Sequence, residues 1–287
     1  MASLLQETRR LLFTHGVRPK KRWGQCFLIE RNILEKILEA GELRGEDQIL
    51  EIGPGVGTLT AVLAERCGRV VAVEIDPQLF QILQEELGGK KEVVLLHRDI
   101  LDLELGPLLT EGRWKVIANL PYYIATPILT RLLMLHRHFS LLLLMVQQEV
   151  AERLTASPGE KAYGSLTVLC QYYADIQIMA KISRRAFYPT PQVDSALVRL
   201  RVLPEPRVRP RDPELYFRLV RAAFAYRRKT LPNALARAGW IPMDRPRLEA
   251  VLERARIDTH RRGETLTLQE FQEVADQLLT CMEGAPA

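Results

Sequence analysis

From Gln48 onward, short apolar runs alternate with segments of helical period. Gln48–Ile52, Arg69–Ile75, Val93–His97, Trp114–Ala118 and Leu141–Val146 are brief, largely apolar or β-branched stretches. Such runs suit strands buried on both faces. Between them, Thr58–Cys67, Pro77–Leu87 and Thr126–Leu135 carry apolar residues at helical spacing, with Leu59, Val62 and Leu63 on one side of the first. Pro77 sits near a first helical turn, and Gly88-Gly89 ends that helix. Strands alternating with helices predict an α/β fold built on a mostly parallel sheet covered on both faces. Two later runs, Ile176–Ile182 and Ser195–Val202, predict an edge pair that brings the sheet to seven strands.

The pattern then changes. Residues 204–213 hold four prolines and no apolar period, and so predict a linker. Beyond it, Pro213–Ala225, Leu231–Ala238, Arg245–Arg256 and Thr267–Met282 have helical patterns. The expected organisation is a sheet domain over 1–203, a linker over 204–213 and a small helical domain over 214–287.

Composition narrows the class. A chain of 287 residues, 47% apolar and 26% charged, suits a globular protein of one large and one smaller domain. Its longest pure apolar run, Leu141–Val146, is too short to span a bilayer, so a membrane role and export are not expected. Cys26, Cys67, Cys170 and Cys281 form no C-x-x-C pair, which argues against a zinc site or a disulfide framework and fits the cytoplasm. No metal is expected. Lys and Arg number 40 against 35 Asp and Glu, a balance that permits a polyanionic partner.

Candidate chemistry falls at the strand ends. The first strand runs into Glu51-Ile52-Gly53-Pro54-Gly55-Val56-Gly57. Glycines there allow a sharp turn and close approach to a ligand. The spacing is G-x-G-x-G; a nicotinamide fingerprint needs G-x-G-x-x-G, and its third position would be Thr58. The looser form suits S-adenosylmethionine, which has no pyrophosphate to seat on a helix N-terminus. Glu74 ends the second strand, where a carboxylate can accept from two ribose hydroxyls, and Asp99 follows the third, in reach of an adenine amine. After the fourth strand stand Asn119-Leu120-Pro121-Tyr122. The amide oxygen of Asn119 and the carbonyl of Leu120 can accept both hydrogens of an exocyclic amine. Tyr122 can stack on the ring, and Pro121 presents the carbonyl before it.

These features together resemble the ribosomal RNA adenine N6,N6-dimethyltransferase family, the kasugamycin-sensitivity enzymes. The likeness covers nearly the whole chain. It includes Lys21-Arg22-Trp23-Gly24-Gln25-Cys26-Phe27-Leu28, the glycine loop, Glu74, Asp99 and N-L-P-Y. It continues with Gln148-Glu149-Val150-Ala151-Glu152-Arg153, with the spaced Phe187, Pro189, Pro191, Val193 and Ser195, and with Arg227-Arg228-Lys229-Thr230-Leu231. One departure is Cys26, where the family usually has Asn.

The resemblance implies a Rossmann-like class I methyltransferase domain followed by a helical domain. It implies S-adenosylmethionine held by Cys26, Leu28, Gly53, Gly55, Glu74, Asp99, Ile100 and Asn119. Catalysis falls to Asn119, Leu120, Pro121 and Tyr122, with Phe187 as a second face for the base. The substrate implied is a pair of adjacent adenosines in the hairpin loop near the 3′ end of small-subunit (16S) RNA, within an assembling 30S subunit, acted on by a monomer. RNA contacts are expected from Lys20, Lys21 and Arg22, from Arg184 and Arg185, and from Arg221, Arg227, Arg228 and Lys229. The competing readings are the erythromycin-resistance methylase of large-subunit RNA, a DNA adenine methylase and a non-catalytic assembly factor. The F-x-P-x-P-x-V-x-S loop and the R-R-K-T-L helix favour the small-subunit type.

Overall fold

A computed structural model of the chain describes residues 3–20, 23–109, 112–121 and 124–283. Helix α1 (Leu4–Thr14) begins at a capping box in which Ser3 Oγ accepts from the Gln6 N–H and the Gln6 side chain accepts from the Ser3 N–H. A two-residue strand β1 (Phe27–Leu28) and helix α2 (Arg31–Ala40) follow. The alternating part then runs β2 (Gln48–Ile52), α3 (Thr58–Ala64), β3 (Arg69–Glu74), α4 (Pro77–Leu87), β4 (Val93–His97), β5 (Trp114–Asn119), α5 (Ala125–Met134) and β6 (Phe139–Gln147). After it come α6 (Gln148–Thr155), α7 (Ser165–Tyr173), β7 (Ala174–Ile182), β8 (Phe187–Tyr188) and β9 (Ser195–Val202). The chain ends in α8 (Pro213–Ala225), α9 (Leu231–Leu235), α10 (Arg245–Arg254) and α11 (Leu268–Glu283).

Seven strands form one sheet in the order β4-β3-β2-β5-β6-β9-β7. The pairs from β4 through β6 are parallel, and β9 runs antiparallel to β6. The apolar runs explain this arrangement, because β5 and β6 are buried almost throughout and need cover on both faces. The chain builds outward from β2 to β4, then returns to β5 on the other side of β2. That reversal leaves a crevice beyond the carboxyl ends of β2 and β5, where open α/β sheets bind ligands. Register makes the point concrete: Ile52 pairs with Val73 and Ala118, Glu74 with His97, and Asn119 with Met145.

The chain divides into two compact units, residues 1–151 with 175–204, and 152–174 with 205–287. This departs from the expected boundaries in two places. Residues 152–174 join the helical unit because their aromatic rings pack there: Tyr172 lies 5.3 Å from Tyr216 and 4.9 Å from Phe217, and Tyr163 lies 5.8 Å from Phe224. The Tyr163 hydroxyl also donates to the Leu266 carbonyl at 2.8 Å. The proline-rich segment is not a free linker. Val208 is buried, and the main-chain N–H groups of Arg209 and Arg211 donate to Gln272 and Asp276 on α11. Proline removes main-chain donors, but the Arg207 N–H that remains donates to the Tyr172 carbonyl of α7, and those of Arg209 and Arg211 to α11.

Candidate functional site

A cleft opens at the carboxyl ends of β2, β3 and β5. The three glycines of the β2–α3 loop all have positive φ, +69° at Gly53, +64° at Gly55 and +86° at Gly57, a region that strains residues with a Cβ. Gly55 is doubly constrained, since a Cβ there would lie 2.9 Å from the Phe27 ring. Gly53 meets only ordinary contacts, so its bare Cα leaves room in the cleft.

Glu74 is buried at the end of β3. Its Oε1 accepts from the Asp76 N–H at 2.9 Å and its Oε2 from the Gly55 N–H at 3.3 Å. The carboxylate therefore fixes the glycine loop while keeping lone pairs for a ligand. Burial pushes its pKa up to about 7 despite those N–H bonds. Asp99 spends one oxygen on the Leu101 N–H at 2.8 Å.

A strap formed by residues 15–20 and 23–28 closes one side. Asp76, buried at the N-cap of α4, gathers it in. Both its oxygens receive Lys20 Nζ at 2.9 Å, Oδ2 also receives Gln25 Nε2 at 2.7 Å, and Oδ1 the Gln78 N–H. Burial opposes the charge, but these donors hold the carboxyl below its usual range. Lys20 also lies 4.6 Å over the Trp23 ring. At the far end, β1 pairs with β8.

Asn119 ends β5, and its Nδ2 donates to the main-chain carbonyl of Cys26 at 3.0 Å. With the nitrogen committed, Oδ1 is the acceptor left for a ligand. The Leu120 N–H is bound to the Met145 carbonyl at 3.1 Å, while no described residue donates to the Leu120 carbonyl. Position 26 thus serves Asn119 through its main chain, which cysteine supplies as well as asparagine. The Cys26 thiol is partly buried, and burial raises its pKa.

Every expected donor-site residue lines this one cleft: Cys26, Leu28, Gly53, Gly55, Glu74, Asp99, Ile100 and Asn119. Leu120 and Pro121 line it too. Tyr122, Lys21 and Arg22 lie outside the described residues. Phe187 is not among the residues that line the cleft. It is 1% exposed, packed in the core with Leu28, Ile33 and Leu197, and paired through β8 with Leu28. Burial stabilises the ring there, and β8 anchors the end of the strap at Leu28. The Lys20 cation is ion-paired with Asp76. Arg184, Arg185, Arg221, Arg228 and Lys229 are exposed. Arg227 is exposed too but ion-paired with Glu264 at 3.2 Å.

Sequence reasoning missed two carboxylates of consequence, Asp76 and Glu51. Glu51 lies 2% exposed along the cleft, and its Oε2 has no hydrogen-bond partner among the described residues. Burial, reinforced by the Glu74 charge, pushes its pKa up to about 8. A charged residue inside an otherwise apolar strand was the available signal.

A mostly parallel sheet in which β9 runs antiparallel, a glycine loop after β2 and acids at the next two strand ends define a class I methyltransferase. The Ribosomal RNA adenine dimethylase family matches residues 16–275. A Pelotomaculum thermopropionicum protein, "Ribosomal RNA small subunit methyltransferase A", is 47% identical over 281 residues, covering 94% of this chain and 95% of its own. Among solved structures, the 23S rRNA methyltransferase ErmE is 30% identical, with a TM-score of 0.68 over 88% of this chain and 99% of its own. A Plasmodium falciparum dimethyladenosine transferase shares the fold at 24% identity, with a TM-score of 0.72 over 86% of this chain and 95% of its own. The chain belongs to the ribosomal RNA adenine dimethylase family, and it is an S-adenosylmethionine-dependent methyltransferase.

The residues present fit that cofactor. An orphaned carboxylate oxygen at Glu51 suits a cationic ligand with N–H donors, and the open Cα of Gly53 leaves it space. The strap should matter to the same ligand. Asp76→Asn keeps the helix cap but removes the charge that draws in Lys20, so donor affinity should fall about tenfold. Tryptic cleavage after Lys20 should quicken alongside. Unchanged affinity by calorimetry would refute the strap's role.

Proposed function

We propose that this enzyme dimethylates N6 of two adjacent adenosines in the hairpin loop near the 3′ end of small-subunit RNA. We place it, as a monomer in the cytoplasm, on an assembling small subunit. Small-subunit RNA is supported by the name of the 47%-identical relative. No helix among the described residues is long and apolar enough to cross a membrane.

The observation that carries the chemistry is the Asn119–Cys26 hydrogen bond. An adenine amine is a poor nucleophile because its lone pair is delocalised into the ring. Asn119 Oδ1 and the Leu120 carbonyl accept its two N–H bonds and favour a pyramidal nitrogen with a localised lone pair. S-adenosylmethionine, when bound, supplies an electrophilic methyl group. Glu74 and Asp99 hold the donor's hydroxyl and amine groups, and the strap shields the cleft from water. Positioning of this kind supplies much of the rate. Tyr122 stacks on the base, returning roughly 1–3 kcal/mol of the cost of unstacking it. Arg184, Arg185, Arg228 and Lys229 face phosphates, so binding weakens with salt. The helical unit acts as the RNA-substrate domain.

The test is mass spectrometry of RNA from undermethylated small subunits incubated with enzyme and isotopically labelled donor. The expected product is two neighbouring dimethyladenosines near the 3′ end. Label appearing only when large subunits are supplied would overturn the assignment.

A further inference from the structure

The helical unit contains a second cavity of about 400 Å³, within the usual range of small-ligand sites. One wall is α8, contributing Arg218 and Arg221. The other is α9 and the turn after it, contributing Arg237 and Trp240, with Tyr226 at one end. Alanines of both helices form the floor, and their short side chains leave the space open. No residue of the donor cleft takes part.

The arginines of this unit differ in whether a carboxylate pairs with them. Arg211, Arg227, Arg245 and Arg261 are each paired with a glutamate. None of the cavity-lining residues is acidic, and no ion pair engages Arg218, Arg221 or Arg237 among the described residues. Two of these guanidiniums are held by rings instead. Arg218 Cζ lies 4.2 Å from the Trp240 centroid, and Arg237 Cζ lies 5.3 Å from that of Tyr226. A ring fixes a guanidinium in place without cancelling its charge as a carboxylate would. The cleft therefore offers flat stacking surfaces together with uncompensated donors for an anion. Arg221 has neither ring nor carboxylate and remains free for a phosphate.

We infer that this cleft binds one unstacked nucleotide of the RNA strand, its base layered on the guanidinium–ring pairs and its phosphate on Arg221. Bases splayed from RNA loops stack on aromatic rings and on arginine planes in this way. An acidic peptide would use the cations but leave the rings idle. The inference rests on the reading of the protein as an enzyme of ribosomal RNA, and it adds a binding site distinct from the one that holds the target adenine.

The test uses the full chain and a fluorescent oligouridylate of about eight nucleotides, a length within single-strand site sizes. Trp240→Leu and Arg221→Ala should each weaken binding about tenfold, and Trp240→Phe should regain most of the loss. Arg221→Ala should also reduce the slope of log affinity against log salt by about one. S-adenosylmethionine affinity should be unchanged in all three variants. Wild-type oligonucleotide affinity in Trp240→Leu would overturn the inference. So would equal displacement by polyglutamate, which would mark a peptide site, or by uridine monophosphate at the same concentration, which would mark a free-nucleotide site. Arg221 is exposed, so its variant reports on binding even where Trp240→Leu proves unstable. Oligonucleotide binding through the cleft with no methylation of small subunits would sink the proposed reaction and leave the cleft standing.

Discussion

Asn119→Ala is expected to lower methyl transfer by about 10²–10³-fold, the range seen when one preorganised hydrogen-bonding group is removed from a reacting centre. Donor affinity should change far less, because Gly53, Glu74 and Asp99 remain in place. Asn119→Asp makes a sharper test. It keeps two acceptor oxygens but loses the Nδ2–H that donates to the Cys26 carbonyl. A carboxylate facing that carbonyl is repelled, so the acceptor turns away and transfer should collapse here as well. Single-turnover rates with saturating labelled donor, alongside calorimetric donor affinity, separate the two effects. A near-normal rate in Asn119→Ala would remove the amide from the mechanism.

Glu51→Gln should make the protein more stable and bind the donor less well. Burial sets the Glu51 pKa at about 8 in the folded chain, against 4.5 as its ordinary value. Between those values the folded state holds a proton that the unfolded chain gives up, so rising pH favours unfolding. The loss approaches about 1.4 kcal/mol per pH unit across that window. Glutamine resembles the protonated acid and is free of this cost. The variant's melting temperature should therefore exceed that of the wild type by roughly 4–10 °C near pH 8, and the two should converge near the ordinary carboxylate range. Glu74, raised to about 7 by its own burial, adds a slope of the same sign that the variant retains. Calorimetric melts at both pH values provide the measurement. A difference in melting temperature that does not change with pH would mean Glu51 is not the source.

The sheet was legible because its strands are short apolar runs between helices of clear period. Gln48–Ile52, Val93–His97 and Ser195–Val202 lie where the pattern places them. The cleft shared by Gly53, Glu74, Asp99 and Asn119 was legible for the same reason, since residues at successive parallel strand ends must converge. Helices α1, α2, α6 and α7 were not foreseen. The sequence of α7 is apolar on nearly all sides, with Leu166, Val168, Leu169, Cys170 and Tyr172 all buried, so it shows no one-sided period. The burial of Phe187 was not foreseen, because a motif fixes a residue's neighbours in sequence but not which side of a strand it faces. The strap was invisible for a related reason: Asp76 and Lys20 are 56 positions apart, and nothing in either segment announces the other. Likewise, no local pattern reveals that Arg227 finds Glu264 while Arg221 finds no carboxylate among the described residues.

The Cys26 carbonyl carries one last implication. An atom common to every amino acid sets the pose of Asn119, the residue proposed to hold the target amine. Evolution can therefore alter the side chain at position 26 without disturbing that pose. An asparagine-to-cysteine exchange beside a reaction centre can then persist as drift, whereas a change of backbone path at Gly24 or Phe27 would be lethal to the chemistry.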